Sequence, residues 1–545
     1  MNNIKNRKIY IILPLLLAVT LALGILTGAQ IFDAKSGKGN LVSSLMKFRE
    51  ILTYVERDYV DEVDSDKLVG EAITDMLENL DPHSVYIPAK DRELTNSQLE
   101  GEFDGIGIEF NIIKDTIYVV APLIGGPSES VGILAGDRIV KVNDETVAGT
   151  GITNRDVFDL LRGPKGTEVK VDVKRANSNE LIPYHIVRDK IPQYSVAVNY
   201  MVDDQVGYIK VTRFAATTYD EFYKALSELK SQGMTKLILD LQSNPGGYMD
   251  RAIKMVDEFV AGTELIVYTD GKSDRFDSEA RARREGIFEQ GPIVVLIDEG
   301  SASASEIVSG ALQDNDRALV VGRRSFGKGL VQNQIPLSDG SELRLTISRY
   351  YIPSGRSIQR PYNGDNKDYH LDFLKRLENG EFDSADSIKF NDSLRFTTSK
   401  GRTVYGGGGI MPDHFVPRDT SMFSDYYGKI IRNVVFREYP LDYYQKNKKR
   451  LENMGLEAYI NNFQVDDNML SSFVKNATKN GVEYDDVGFN RSKPLIRNLL
   501  KAQIARLVWD DKGFYPILNQ QDEIFQAALK LFDDAEALLS ATDSR

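Results

Sequence analysis

Residues 293–306 read Ile-Val-Val-Leu-Ile-Asp-Glu-Gly-Ser-Ala-Ser-Ala-Ser-Glu. The five apolar residues Ile293–Ile297 form a run without polar alternation, which predicts a strand buried on both faces. Asp298, Glu299 and Gly300 stop it. Ser301, Ser303 and Ser305 follow, and a helical stretch begins at Glu306 and continues to Leu312. The same plan surrounds this stretch. Leu237–Leu241 and Leu319–Val321 read as apolar strands, and Tyr219–Leu229 and Asp250–Val260 as helices. Buried strands separated by helices predict a mostly parallel α/β sheet. A serine between a strand end and a helix start exposes its hydroxyl beside backbone N–H groups that can hold a developing oxyanion. Ser303-x-x-Glu306 is also a capping box, which needs no chemistry, and on this stretch alone capping is the stronger reading.

Two other strand ends carry glycine-rich turns. Leu239-Asp-Leu-Gln-Ser-Asn-Pro-Gly-Gly247 places Gly246 and Gly247 where backbone N–H groups can approach a ligand, or where the chain simply turns into the next helix. Strand ends of one parallel sheet open on a common crevice. Gly322-Arg-Arg-Ser-Phe-Gly-Lys-Gly329 comes within one residue of a phosphate-binding loop. Gly329 stands where that loop needs a hydroxyl, and Leu330–Ile335 alternates like a strand instead of opening a helix, so nucleotide binding is disfavoured.

A serine hydroxyl needs a base. The chain has four histidines, His83, His185, His370 and His414, and none lies in the 100 residues before Ser303. Lys328 is the available base. It serves only as a neutral amine, so burial must depress its pKa; Phe326, Leu330 and Val331 supply apolar walls. Gln332, four residues on, falls on the same side and offers its amide oxygen to the Lys328 amine.

Composition narrows the rest. The 545 residues predict several domains, and 42% hydrophobic with 27% charged residues predicts folded ones. The net charge of −13 argues against nucleic acid as a partner. The absence of cysteine removes disulfides, thiolate nucleophiles and Cys-zinc sites. No metal or cofactor is expected. Lys5, Arg7 and Lys8 precede an apolar run from Ile9 to Leu26, the plan of an export signal long enough to span a bilayer. We read it as an uncleaved anchor in preference to a removed signal peptide, with everything after it exported. Helical spacing follows from Leu41 to Leu80, broken by Asp81-Pro82-His83-Ser84. Short β-rich runs with Gly and Pro turns fill 101–189. Amphipathic helices return after Pro417, where Pro494 suits a first turn and Ile524, Ala528, Leu531, Ala535 and Leu538 share a face.

These pieces together resemble the C-terminal processing, or tail-specific, proteases, PDZ-containing serine peptidases with a Ser/Lys dyad. The matching stretches stand in family order: Asp81–Ser84, Gly105-Ile-Gly-Ile108, Ala135-Gly-Asp-Arg-Ile139, Leu161-Arg-Gly-Pro164, Leu239–Gly247, Gly300–Glu306, Phe326-Gly-Lys-Gly329 with Gln332, and Gly408-Gly-Ile-Met-Pro-Asp413. The resemblance implies Ser303 as nucleophile, Lys328 as general base, Gln332 as its support, and an oxyanion hole from the N–H of Ala304 and of Gly246 or Gly247. Gln242 departs from the arginine many members carry there. The resemblance also implies a PDZ domain whose loop Gly105, Ile106, Gly107 and Ile108 captures a peptide's C-terminal carboxylate, with Arg162 coupling it to the protease.

The expected architecture is therefore multidomain α/β. Residues 1–32 are the signal segment, 33–98 an N-terminal helical region, 99–190 an inserted PDZ domain, 191–417 the Ser/Lys protease core with a parallel-rich sheet, and 418–545 a helical extension. The expected activity is that of an exported serine endopeptidase in the cell envelope, in the periplasm or on the periplasmic side of the inner membrane. Its expected partners are proteins or peptides with free apolar C-termini and, through the N-terminal segment, the membrane. Self-association and an adaptor protein stay open. The alternative is an inactive PDZ-bearing scaffold.

Overall fold

Leu237 and Leu239 turn to one side of their strand and Ile238 to the other, and the same sorting separates Val295 from Val294 and Leu296. Both sides are sealed, which is why these strands carry no polar alternation. The computed structural model describes residues 18–20, 41–123, 125–175, 178, 180–362, 366, 369 and 371–540. The chain divides at Met76 into two units. The first contains helix α1 (Leu41–Asp58) and most of α2 (Ser65–Glu78). All that follows concerns the second.

The second unit opens with strand β1 (Val85–Ile87) and helix α3 (Ala89–Glu100). The chain then runs through β2 (Glu102–Gly105) into a β module: β3 (Ile108–Ile112), β4 (Ile117–Pro122), β5 (Arg138–Val142), helix α4 (Asn154–Leu161), β6 (Glu168–Lys174) and β7 (Leu181–Val187). It leaves through β8 (Asp189–Pro192), which pairs antiparallel with β2. Entry and exit on neighbouring strands make the module an insertion. Its strands lie in the order β3-β4-β5-β6-β7, so β3 is an edge. Ile117, Val119, Ile139, Val157, Val171 and Ile186 form its core.

The central sheet follows: β9 (Val196–Met201), β10 (Val206–Val211), helix α5 (Thr218–Ser231), β11 (Lys236–Asp240), helix α6 (Met249–Val256), β12 (Leu265–Gly271), β13 (Ser278–Arg281), β14 (Ile293–Ile297), helix α7 (Ala304–Asp314) and β15 (Leu319–Gly322). Its order is β9-β10-β11-β14-β15, closed by β18 (His414–Phe415). All pairs but β9–β10 are parallel. Helices α5, α6 and α7 cover one face. A second, antiparallel sheet joins β1, β17 (Glu342–Tyr351), β12 and β13, with β16 (Leu330–Pro336) on the other side of β17.

The C-terminal part contains α8 (Asp425–Arg432), α9 (Val435–Met454), α10 (Asp467–Lys479), α11 (Asp486–Leu518), α12 (Glu523–Leu529) and α13 (Phe532–Ser540). Helices α8–α11 share their own aromatic-rich core. Pro494 does not open a helix: α11 begins eight residues earlier, capped by the Asp485 carboxylate on the Gly488 N–H at 3.1 Å. A proline inside a helix forfeits one backbone hydrogen bond, and here burial of Phe489, Ile496, Leu500 and Ile504 offsets it. α11 breaks instead at Trp509–Asp510, where Asp510 has φ +49°. The helical part rests on the β module: Lys114 pairs with Glu438 at 3.3 Å, and Arg506 with Glu109 at 3.5 Å. Helices α12 and α13 belong elsewhere. Ile524, Phe525, Ala528, Phe532 and Ala535 cover the second face of the central sheet.

Among the described residues no helix is long and apolar enough to cross a membrane. Apart from residues 18–20, the apolar run 9–26 lies outside them, as does His370.

Candidate active site

The three serines after β14 have different environments. Ser301 is buried, and its hydroxyl donates to the Leu241 carbonyl at 2.8 Å. Ser305 is buried and donates to the Asn244 carbonyl at 2.9 Å. Both hydroxyls therefore staple α7 to the turn after β11. Ser303, between them, keeps partial exposure. It caps α7 with φ +55°, a conformation uncommon for a residue with a side chain. Glu306 Oε2 accepts its N–H at 2.8 Å, within the capping box the spacing predicts.

The glycine turn after β11 is pressed against this residue. A Cβ on Gly246 would lie 2.7 Å from the Ala302 carbonyl oxygen, 2.8 Å from Ser303 Cβ and 2.9 Å from the Ala304 nitrogen. Gly246 also has φ +93°. Its N–H is donated to Asn244 Oδ1 at 2.9 Å. Among the described residues the N–H groups of Gly247 and Ala304 have no hydrogen-bond partner. Gly246→Ala must displace the Ser303 turn. We expect its kcat to fall about 100-fold or more, the scale of a 1 Å misplacement; steady-state rates and labelling by a serine-directed phosphonate measure it. Wild-type turnover in this variant would show that the apposition is immaterial.

Lys328 lies in the loop between β15 and β16, half-buried beside the buried Leu330. Its Nζ donates to Gln332 Oε1 at 2.9 Å. Burial pushes its pKa below the usual lysine range, and the positive charge of Arg344 adds to this, against the carboxylates of Glu306 and Asp81. Gln332 Nε2 donates to the His83 carbonyl at 2.8 Å.

Two groups tie the Lys328 loop to the serine turn. Glu306, fully buried, accepts the N–H of Ser303 (2.8 Å) and of Lys328 (2.9 Å) on Oε2. It accepts the N–H of Gly327 (2.7 Å) and the hydroxyl of Ser325 (2.5 Å) on Oε1. Burial pushes its pKa up to about 7, and these four donors oppose the rise. The Tyr350 hydroxyl donates to the Lys328 carbonyl and lies 3.1 Å from the Ser303 carbonyl oxygen. One carboxylate oxygen thus collects the N–H of both residues, and one phenol reaches both carbonyls. Spacing exposed Glu306 only as a cap. Tyr350 left no signal, being one of two adjacent tyrosines at the end of an ordinary strand.

In the β module, Gly105, Ile106 and Gly107 are buried and lead into β3. Gly107 has φ +73°, and its carbonyl accepts the Leu123 N–H at 2.9 Å. Ile108 begins the edge strand. Phe110 on that strand meets Phe158 on α4 with ring centroids 5.7 Å apart. The Arg162 guanidinium stacks over Phe103 (4.3 Å) and Phe158 (4.7 Å) and donates to Ser97 Oγ of α3 at 3.2 Å.

A serine at a strand–helix junction of a parallel sheet and a β module inserted ahead of that sheet fit a serine peptidase with an added domain, and it is known proteins that show this class. Residues 205–370 match peptidase family S41, 118–175 a PDZ domain, 25–91 the N-terminal domain of the activating protease CtpB, and 426–510 a family of unknown function. The carboxy-terminal-processing protease of Bartonella bacilliformis is 40% identical over 324 residues, 59% of this chain and 74% of that protein. The carboxy-terminal processing protease CtpA of Bacillus subtilis is 32% identical over 351 residues, 64% of this chain and 74% of that one. Among solved structures, a photosystem II D1 C-terminal processing protease aligns at 29% identity and a TM-score of 0.33, over 58% of this chain and 83% of its own. The chain belongs to the carboxy-terminal processing proteases, serine-type peptidases of family S41 that carry a PDZ domain.

Proposed function

We propose that this protease is exported and cuts proteins at or near their C-termini with a Ser303/Lys328 dyad, its PDZ domain holding the substrate's free C-terminus. The chain then divides as its sequence suggests, into signal segment (1–32), helical region (33–98), PDZ domain (99–190), protease core (191–417) and helical extension (418–545). The neutral Lys328 amine takes the Ser303 proton as Oγ attacks the scissile carbonyl. The N–H groups of Ala304 and Gly247 receive the oxyanion; Gly246 contributes its closeness. The Lys328 ammonium returns the proton to the leaving amine. A water that gives its proton to the same amine then hydrolyses the acyl-enzyme, and the amine passes that proton to Ser303 Oγ as the acid product leaves. What carries this reading is the shared clamp: Glu306 Oε2 accepts the N–H of both Ser303 and Lys328. Export rests on Lys5, Arg7 and Lys8 before the apolar run to Leu26. A fluorophosphonate probe tests the dyad against the inactive scaffold: the wild-type chain labels at Ser303 and Ser303→Ala does not, whereas a scaffold leaves both unlabelled.

The PDZ assignment gives a separate expectation. Backbone N–H groups at Gly105–Ile108 need a charged terminal carboxylate, and the apolar flank of Ile108 and Phe110 favours apolar final residues. Calorimetry on the full-length Ser303→Ala chain with paired peptides should show the free acid binding at least about tenfold more tightly than its amide, the worth of one or two charge-assisted hydrogen bonds. Equal affinities would remove C-terminal capture and leave the dyad standing.

A further inference from the structure

The Asp81-Pro82-His83-Ser84 stretch has no part in the mechanism above, yet it is built tightly. Asp81 is buried. Its Oδ1 accepts the N–H of His83 (2.8 Å), the N–H of Ser84 (2.9 Å) and the hydroxyl of Thr346 (3.0 Å); its Oδ2 accepts the hydroxyl of Ser84 (2.6 Å). Ser84 Oγ accepts the N–H of Thr346 at 3.1 Å. Thr346 on β17 is the ladder partner of Gln332 on β16, and the register shifts between Val331 and Gln332. The turn is therefore fastened to the rung that carries Gln332, beside an irregularity in the ladder.

A primary amide has two unlike ends. The His83 carbonyl takes the Gln332 NH2 at 2.8 Å, so the Gln332 oxygen faces Lys328 Nζ at 2.9 Å. In that orientation the amine spends an N–H on its support and keeps its lone pair for the Ser303 proton. A reversed amide would set oxygen against the His83 carbonyl and offer an N–H to the lone pair itself. We infer that the Asp81–Ser84 turn is a positioning element of the catalytic apparatus: Asp81 holds the His83 carbonyl, which fixes the orientation of the Gln332 amide and through it the Lys328 amine.

The inference rests on the Ser303/Lys328 reading and deepens it. It also predicts a pH signature. The charged groups acting on Lys328 are Arg344 on β17, Glu306 on α7 and Asp81 on the turn, the two carboxylates favouring the ammonium. The His83 ring, on the same turn, is hydrogen-bonded to the Tyr369 hydroxyl at 2.7 Å. Asp81→Asn removes one negative charge, so the acid limb of the rate profile should move to lower pH.

The test compares full-length wild type with Asp81→Asn, Gln332→Ala, the double variant and Ser303→Ala on one peptide substrate. We expect Asp81→Asn to lose about 10- to 100-fold in kcat with KM within about threefold, and the double variant to be no slower than Gln332→Ala alone. An unchanged kcat and acid limb in Asp81→Asn, or losses that multiply in the double variant, overturn the inference. Should Asp81→Asn fail to fold, Thr346→Val and Ser84→Ala replace it: each leaves the Asp81 charge and so the acid limb in place, and the kcat loss and its non-additivity with Gln332→Ala decide. Full turnover by Ser303→Ala would overturn the dyad itself, an outcome visible whatever Asp81 does.

Discussion

Lys328→Ala is expected to be as inactive as Ser303→Ala, each down by about 10⁶-fold in kcat, with the double variant no worse. In the proposed dyad the two residues act as one unit: without the amine the hydroxyl stays protonated, and without the hydroxyl the amine has nothing to activate. Lys328→Arg should fail equally, since a guanidinium stays protonated at any working pH and has no lone pair to offer. The pH dependence follows from the same chemistry. The working form is the neutral amine, so kcat/KM should rise with pH through the Lys328 pKa and level off above it. Burial, helped by Arg344, places that limb below the usual lysine value of about 10.4. Rate profiles from pH 5 to 10, with thermal unfolding recorded at each pH, separate titration from denaturation. A rate that peaks in acid and falls above neutrality would exclude a lysine base, and a Lys328→Ala enzyme with appreciable turnover would exclude this one.

How far the site was legible in the sequence depended on the range of its contacts. The strand Ile293–Ile297 and the helix after it were plain, because an apolar run buried on both faces needs no partner to be recognised. Lys328 emerged from the scarcity of histidine, and Gln332 from its four-residue offset, which the structure keeps as a hydrogen bond. The choice among three serines was not in the pattern. Ser301 and Ser305 are set apart by carbonyls 60 and 61 residues away, at Leu241 and Asn244. Glu306 shows the same limit. Its spacing to Ser303 announced a cap, but its grip on Gly327 and Lys328 exists only once two strand ends lie side by side. Asp81 and Gln332 belong to segments 249 residues apart at the His83 carbonyl, beyond any local rule. Pro494 misled because proline is commonest in the first turn, whereas here tertiary packing holds the helix through it.

The far end of the chain is where sequence and structure part most, and the consequence is large. Ile524, Ala528 and Ala535 were readable as the apolar face of an amphipathic segment, which folds as α12 and α13, but nothing local said what that face covers. It covers the outer side of the central sheet, against Tyr208, Ile238, Val294, Leu296 and Val321. Polar contacts pin the segment there: Asn519 Nδ2 donates to the Tyr200 hydroxyl at 2.9 Å, and Arg323 pairs with Glu523 at 3.3 Å. A chain ending at Leu518 would open this face to water. Burying a large apolar side chain contributes ~2 kcal/mol, so loss of Ile524, Phe525 and Phe532 alone removes ~6 kcal/mol. Whole-protein stabilities are about 5–15 kcal/mol. The truncated chain should therefore bind hydrophobic dyes, aggregate and fail to label with a serine-directed phosphonate, although every residue of the proposed dyad is retained. Phe525→Ala, a milder lesion, should cost about 3–5 kcal/mol and lower Tm while the folded fraction keeps its kcat. A chain ending at 518 with wild-type Tm and turnover would mean that the sheet closes without α12 and α13, and that the segment is an appendage instead of the second layer of the protease.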